Sequence, residues 1–321
     1  MLSDTLANKL AELLYKEVDP SDEIPNASPL LAHYTSLQNL ENIVRNREVW
    51  LSSPLNMNDH EEVRFGVNTS VEIVLKSEGI QTALRTDERR KSFYDAFIRY
   101  DNAYRNDEVL DLYVMCFSLH SISETDGKLS MWRGYGQNGK GCALIFDTAK
   151  LYVTENSPLV CAKIEYQTQK QRRQSISGKV LEVAKFIEKE SIDSDGLCCV
   201  ASALFRRICV YAVYSKHKGF EEEEEWRIVY FTNRDPGKNL HEFFSYFNGP
   251  DGIQPKLKLP TRPIPGVIGE QFDLAEVLHS IIVGPSASSP LTQASVERML
   301  RDVGMENLVE RLEMSTIPYR G

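Results

Sequence analysis

An acidic run that leads into an apolar strand holds the residues best suited to chemistry. The segment EEEEEWRIVYF spans Glu221 to Phe231. Because side chains alternate along a strand, Glu223, Glu225 and Arg227 are expected on one face. A carboxylate held there can stabilise a developing cation, as cleavage of a glycosidic bond through an oxocarbenium-like transition state requires. One carboxylate of this run, with an arginine two residues further on, is therefore a candidate for such chemistry, unless the run is a solvated edge.

A histidine and a tyrosine at the end of a short apolar segment form a second candidate site. The segment LLAHYTS runs from Leu30 to Ser36. A neutral imidazole at His33 can donate a hydrogen bond to a sugar hydroxyl, and the ring of Tyr34 can stack on a flat heterocycle. The alternative is structural, with His33 capping the following helix or satisfying a buried carbonyl.

A glycine-rich loop, SMWRGYGQNGKG, supplies a third group of candidates. Glycines let the backbone approach a ligand closely, while the planes of Trp132, Arg133 and Tyr135 offer stacking and phosphate contacts. The loop is equally consistent with a long hairpin connection whose aromatic residues anchor it to the core. Asn58 and Asp59 are a further possibility, but this pair is more typical of a turn.

The elements that must position these residues mix strands and helices without a regular alternation. Strands are predicted over 30–34, 49–52, 112–119, 141–147, 226–231 and 280–287. Thr35 and Gln38 stand at capping-box spacing before a helix that ends near Arg47. The pattern predicts the α+β class. It indicates an N-terminal helix and loop over 1–29 and a single domain over 30–321, with helical insertions at about 61–104 and 178–214.

Composition and charge argue against several functional classes. Of the 321 residues, 42% are hydrophobic and 26% are charged, which is typical of a folded protein. The net charge of −9 weakens nucleic acid as a default partner. The six cysteines lie mostly in apolar runs without metal-ligand spacing, so reduced thiols and no metal are expected. Without an apolar run of membrane-spanning length or a signal pattern, we expect a cytoplasmic protein with no membrane partner.

Several segments together carry a resemblance to a known family. They are AHYTSLQNLENIVRNREVWLSSPLNMNDHEE, CFSL, MWRGYGQNGKGCALIFD, EEEEEWRIVYF and IIVGP. In type and order they resemble the bacterial domain family of unknown function numbered 2971, from about Leu30 to the C-terminus. This family resemblance carries no function with it.

The segment HYTSLQNLENIV, followed by a strand, also resembles the first motif of ADP-ribosyltransferase-like enzymes, notably the DarT-type and RNA 2′-phosphotransferase-type enzymes. The resemblance implies split β-sheets that form a cleft for NAD. It makes His33 the ribose contact, Ser52 or Ser53 the second-motif residue, and Glu225 or Glu223 the catalytic glutamate. The residues expected to bind NAD are His33, Tyr34, Thr35, Ser52, Ser53, Trp132, Arg133, Tyr135 and Arg227.

The implied function is cleavage of the nicotinamide–ribose bond of NAD, with transfer of ADP-ribose to a macromolecule or to water. Enzymes of this type often act as bacterial toxins or antiviral effectors, a role that the resemblance permits. The sequence leaves the acceptor open between protein, nucleic acid and water, and does not set the oligomeric state. Two alternatives remain. One is a catalytically silent nucleotide-sensing or interaction domain, and the other is a nuclease, which the missing metal-carboxylate spacing disfavours.

Overall fold

The computed structural model describes residues 2–16, 23–24, 26–54, 60–106, 112–249 and 252–321. Asn58 and Asp59 lie outside these ranges. The described helices are α1 (Asp4–Tyr15), α2 (Leu37–Asn46), α3 (His60–Leu75), α4 (Glu78–Leu84), α5 (Asp87–Asn106), α6 (Leu129–Gly134), α7 (Gln169–Lys189), α8 (Ser194–Val213), α9 (Leu274–Val277) and α10 (Pro290–Asp302). The strands are β1 (Leu30–Thr35), β2 (Glu48–Ser52), β3 (Leu112–His120), β4 (Cys142–Asp147), β5 (Leu159–Lys163), β6 (Glu165–Gln167), β7 (Ser215–His217), β8 (Glu225–Phe231), β9 (Phe244–Gly249), β10 (Gly252–Pro260), β11 (Leu278–Val283) and β12 (Leu312–Met314).

The chain divides into two compact units. The helical unit comprises Met1–Asp19, Pro54–Asp111 and Ile164–Phe220, and the sheet unit comprises Pro20–Ser53, Leu112–Lys163 and Glu221–Gly321. Segments 61–104 and 178–214, predicted as helical insertions, both fall in the helical unit and form helices there. The α+β class is thereby confirmed, while the limits of a single folding domain over 30–321 stay a prediction.

In the helical unit, α8 is the helix against which others pack. It contacts α3 and α5, and α4 packs against α7. The rings of Phe93 and Phe97 on α5 are fully buried, and Phe97 meets Phe205 of α8 edge-on. These helices form because each presents an apolar face that the others cover.

One helix of the described chain, α8, is long and apolar enough to cross a membrane by those two criteria alone. The sequence-based expectation overlooked it because Arg206 and Arg207 interrupt its apolar residues. In the structure 56% of its most apolar stretch is buried, and a core helix of a soluble protein passes the same test. Its packing against α3 and α5 fits that description.

The sheet unit is built on ten strands of the described chain. One path runs in the order β12, β11, β4, β1, β3, β2, β10 and β9, and β8 joins β3 to β5. The pairings are antiparallel except that of β11 with β12, which makes the sheet mixed. Helices do not alternate with these strands as they would in a doubly wound fold.

Strand β3 carries a fork on one of its edges. Its C-terminal part pairs with β1, where Ser118 lies opposite Ala32. Its N-terminal part pairs with β2, where Val114 lies opposite Ser52. Because β8 pairs with β3 continuously from Leu112 to Ser118, β8 occupies the other edge. Strands β1 and β2 therefore share the same edge of β3 and separate beside Cys116.

The two faces of the sheet unit differ in polarity. The larger apolar core includes Leu31, Phe117 and Trp226. A smaller core on the other face holds Ala32, Tyr34 and Trp132. Since paired residues on neighbouring strands point the same way, Ser118 and Glu225 lie on the face that carries Ala32 and Tyr34. We call this the polar face.

The start of α2 corrects one local prediction. The N-cap is Ser36, whose Oγ accepts from the backbone N–H of Asn39. Thr35 still belongs to β1, where it pairs with Cys142, and its Oγ1 accepts from the side-chain amide of Asn39 at 2.8 Å. The predicted capping box of Thr35 and Gln38 is therefore wrong by one residue, because strand pairing holds Thr35 extended.

Candidate active site

A buried ion pair on β8 is the centre of the candidate site. The guanidinium of Arg227 donates from Nε to Glu225 Oε1 at 2.6 Å, and from its terminal nitrogen to Oε2 at 3.2 Å. Glu225 is 4% exposed and Arg227 is 2% exposed. A two-pronged bond of this kind fixes the carboxylate plane as well as compensating its charge. Both side chains lie on the polar face, as the alternation along the strand predicts.

Glu223 is placed differently from the sequence expectation. It ends a short 3₁₀ helix, Lys218–Glu223, and is not part of β8. The intervening Glu224 has a φ of 44°, in the left-handed region that non-glycine residues seldom adopt. Strand alternation therefore relates Glu225 to Arg227 but not to Glu223. The expected common strand face for all three residues is wrong for Glu223.

A polar network links the end of the acidic run to β3 and to the segment before α6. Ser118 Oγ donates to the carbonyl of Glu223 at 2.7 Å and accepts from Lys128 Nζ at 3.2 Å. The same ammonium forms an ion pair with Glu224 Oε2 at 2.6 Å. Tyr135 donates its hydroxyl to Glu223 Oε1 at 3.1 Å. The network thus fixes the backbone immediately before Glu225. It also engages the side chains of Glu223 and Glu224 in a hydrogen bond and an ion pair.

His33 lies at the fork. Its Nδ1 lies 2.9 Å from the carbonyl oxygen of Cys116, beside the point where β1 and β2 separate. Because a carbonyl only accepts, Nδ1 carries the proton, and Nε2 of the neutral ring is left as an acceptor. Burial lowers the pKa of His33, which favours this neutral form. Of the two roles that the sequence allows, the structure shows the bond to a buried carbonyl.

His33 and Glu225 do not share a face of the sheet. Alternation along β1 places His33 opposite to Tyr34, and its ring lies 5.7 Å from that of Phe117 in the larger core. Glu225 lies on the polar face. The two residues therefore lie on opposite faces of the sheet, near the point where β1 and β2 separate beside Cys116.

Tyr34 and Trp132 pack against each other. Their rings meet edge-on with centroids 4.8 Å apart, and Trp132 is fully buried. The Tyr34 hydroxyl accepts from the backbone N–H of Lys128 at 2.9 Å, and Trp132 Nε1 donates to the carbonyl of Asp126 at 2.8 Å. Burial raises the pKa of the Tyr34 hydroxyl. These two rings anchor α6 to the sheet, as the hairpin alternative anticipated, and the Trp132 ring is fully buried.

The other predicted site residues are dispersed. Arg133 is exposed on α6, with its guanidinium 5.2 Å from the centre of the Tyr319 ring. Ser52 accepts at Oγ from Lys256 Nζ at 2.7 Å, and the adjacent Ser53 is fully buried. The structure therefore brings Glu225, Arg227, Glu223 and Tyr135 into one region. Ser52 lies on the other side of β3 from Arg227, on a strand that pairs with β3 at Val114.

Three functional candidates escaped the sequence analysis. Ser118 belongs to the strand segment CFSL, in which alternation places its side chain on the same face as that of Cys116. A serine at that position of a strand was a usable signal of a polar face. Lys128 precedes a helix and carries no local pattern. Lys256 stands in the alternating segment KLKLP of β10, where a lysine at every second position marks one polar face. Among the described residues no group of histidine, cysteine and carboxylate side chains is arranged to hold a metal ion.

Comparison with known proteins finds a match between one segment of the chain and a family of unknown function. Residues 131–228 match the model of a family described as Protein of unknown function (DUF2971). The match runs from α6 into β8, so it includes Glu225 and Arg227 but neither His33 nor Lys256. The resemblance to this family is thereby confirmed over that segment. No curated protein and no solved structure matches the chain.

Proposed function

We propose that this chain binds NAD at the fork of β3 and cleaves the bond between nicotinamide and ribose, in the manner of ADP-ribosyltransferase-like enzymes. ADP-ribose then passes to a macromolecule or to water. A substrate that is abundant inside cells fits a cytoplasmic protein. A role as a toxin or antiviral effector belongs to the same proposal and depends on the acceptor.

The observation that carries the proposal is the carboxylate of Glu225. It is held on a central strand by two bonds from Arg227, beside the place where β1 and β2 leave β3. A fixed, desolvated carboxylate needs no reorganisation when positive charge develops near it, which is the main source of electrostatic catalysis. The separation of β1 and β2 on one edge supports the split-sheet arrangement that the resemblance implies.

The proposed step breaks the C1′–N bond of NAD. The bonding electrons leave with nicotinamide, which becomes neutral, and the positive charge moves onto the ribose. Glu225 stabilises that cation on one side. A nucleophilic group of the acceptor, or water, then forms a bond to C1′ and loses its proton to solvent. His33, neutral and protonated at Nδ1, offers Nε2 as an acceptor for a ribose hydroxyl.

The test is nicotinamide release by the purified protein and by Glu225→Gln, which removes the charge but keeps the shape. We expect turnover to fall on the order of a hundredfold or more, with a smaller loss of NAD affinity. The matched control is Glu222→Gln, an exposed member of the same acidic run, which should retain wild-type activity.

Folding has to be separated from chemistry in this test. Glu225→Gln leaves the buried Arg227 without its carboxylate, and breaking a buried pair destabilises by about 3–5 kcal/mol. The double variant Glu225→Gln/Arg227→Met removes both charges and should melt closer to the wild type. If that variant is folded and still releases nicotinamide at the wild-type rate, Glu225 is not the catalytic carboxylate.

One alternative is favoured by a specific observation. The charge of Glu225 is already compensated by Arg227, and Glu224 is paired with Lys128, as in a purely structural network. This arrangement suits a catalytically silent nucleotide-sensing domain. NAD binding without nicotinamide release by the wild-type protein would select that alternative.

A further inference from the structure

A buried lysine on β10 lacks the partner that a buried cation needs. Lys256 is 8% exposed, and its Nζ donates to Ser52 Oγ at 2.7 Å. Among the described residues no carboxylate pairs with this ammonium. Arg227 and Lys179, which are equally buried, pair with Glu225 and Glu182. A buried cation is costly unless it is paired, and no carboxylate in the part of the chain that the structure describes compensates Lys256. This points to an anion that binds beside it.

The register of the strands places Lys256 on the same face as the candidate catalytic pair. Lys256 lies opposite Ser52, and Ser52 lies opposite Val114 of β3. Arg227 lies opposite Cys116, two residues further along β3. Because paired residues and every second residue point the same way, the side chains of all five lie on the polar face.

The two groups are separated both across the strands and along them. Three strand spacings separate β10 from β8, about 14 Å between their backbones, and Glu225 lies opposite Ser118, about 13 Å along β3 from the residue opposite Ser52. The Lys256 side chain is directed toward Ser52 of β2, which shortens the separation across the strands. A dinucleotide is an extended ligand, so one molecule with its ribose at Glu225 can direct its phosphates along β3 toward Ser52.

We propose that Lys256, oriented by Ser52, forms a phosphoryl-binding subsite that holds the diphosphate of the dinucleotide substrate. The identity of that occupant rests on the proposed function, whereas the anion subsite itself rests on a buried lysine that no carboxylate of the described residues compensates. A phosphate oxygen accepts from the ammonium and also from the Ser52 hydroxyl, whose proton is free because its oxygen accepts from Lys256. Burial lowers the pKa of Lys256, and a bound phosphate should raise it again.

The matched control is on the same strand. Lys258 lies two residues along β10, on the same face, with its ammonium 4.5 Å from the centre of the Trp50 ring. It is only half-buried. Lys256→Met and Lys258→Met each remove one positive charge and keep a long side chain. Any effect of overall charge is therefore common to the two variants.

The experiment is calorimetric titration of the wild type and both variants with ADP-ribose, inorganic pyrophosphate and nicotinamide riboside. Lys256→Met should weaken ADP-ribose and pyrophosphate at least tenfold, whereas Lys258→Met should stay within about twofold of the wild type. Nicotinamide riboside, which lacks the diphosphate, should bind the wild type and Lys256→Met equally. Lys256→Met removes a buried charge that no carboxylate of the described residues compensates, so it should remain folded, which a melting curve checks.

The outcomes distinguish the subsite from the proposed function. ADP-ribose that binds the wild type and Lys256→Met equally overturns the subsite and leaves the proposed function standing. In another outcome, Lys256→Met weakens pyrophosphate binding, but ADP-ribose binds the wild type no more tightly than pyrophosphate does. That result supports the anion subsite and excludes the dinucleotide as its occupant. Absence of binding by both ligands to the wild type overturns the inference.

Discussion

His120, at the end of β3, is buried without a close hydrogen-bond partner for one of its ring nitrogens. Its Nδ1 lies 3.6 Å from Glu124 Oε2 and makes no hydrogen bond among the described residues. Burial lowers its pKa to about 4, and the charges of His279 and Lys128 act in the same direction. In the unfolded chain this histidine titrates near 6.5.

The depressed pKa of His120 makes stability depend on pH. Between pH 6.5 and 4 the unfolded chain binds a proton at this residue that the folded protein does not bind, so the free energy of unfolding falls as the pH falls. His120→Gln should reduce the stability lost between pH 7 and 4.5 by on the order of 2 kcal/mol, measured by urea unfolding at both pH values. The exposed His241→Gln is the control. An unchanged pH dependence in His120→Gln would contradict the assignment.

The positions of individual site residues were predictable where they depend on a single strand. Alternation along β8 predicted that the side chains of Glu225 and Arg227 share a face, and in the structure they do. The placement of Glu223 failed because the left-handed backbone at Glu224 ends the strand pattern before it, and periodicity contains no sign of that turn. Lys256 was missed because its importance depends on its burial without a carboxylate partner among the described residues, which a sequence does not display.

At the level of elements, the glycine-rich loop packs by close backbone approach against the end of β1 and against α6. A Cβ at Gly141 would meet the carbonyl oxygen of Thr35 at the end of β1, and one at Gly136 would meet the Trp132 ring. By contrast, Gly134 at the end of α6 has open space around it. The sequence left two interpretations of this loop, glycines that approach a ligand or a long hairpin connection anchored to the core by its aromatic residues. The structure uses two of them for approach to its own strand and helix.

Alanine substitution at two of these glycines should have opposite effects. Gly141→Ala has to displace the backbone of β1, so we expect a loss of several kcal/mol in the free energy of unfolding. Gly134→Ala lies in a helix with free space, so it should be neutral or stabilise by about 0.5 kcal/mol. Chemical denaturation of both variants gives the comparison. Equal stability of the two variants would show that Gly141 is not packed as described.

The helices and strands themselves followed largely from local patterns. The predicted strand over 49–52 appears as Glu48–Ser52, and the helix that ends near Arg47 appears as Leu37–Asn46. The fork of β3 did not follow, because β1 and β2 meet β3 from positions more than sixty residues away in the chain. Hydrophobic periodicity identifies a strand but not its neighbour.

On the scale of the whole molecule, the two units interleave along the chain. Each is assembled from three separate segments, so neither is continuous in sequence. Periodicity predicted helices in 61–104 and 178–214, but not that α3 and α5 pack on α8 and α4 on α7. The net charge of −9 repels an anionic substrate at long range, so the local cations of the sheet unit have to provide any attraction.

The interleaving predicts that the helices α3 to α5 do not fold alone. Phe93 and Phe97 of α5 are fully buried in the helical unit, and Phe97 packs on Phe205 of α8. A fragment of residues 54–111 loses that cover, and short isolated helices are marginal in water. We expect weak helical circular dichroism and no cooperative melting for this fragment. Joining it through a flexible glycine–serine linker to residues 164–220 restores α7 and α8, and should restore helicity and a cooperative transition.

The fusion carrying Phe97→Ala should melt at a lower temperature, because it removes the ring that contacts Phe205. Cooperative folding of the fragment without α7 and α8 would show instead that this segment is an independent domain.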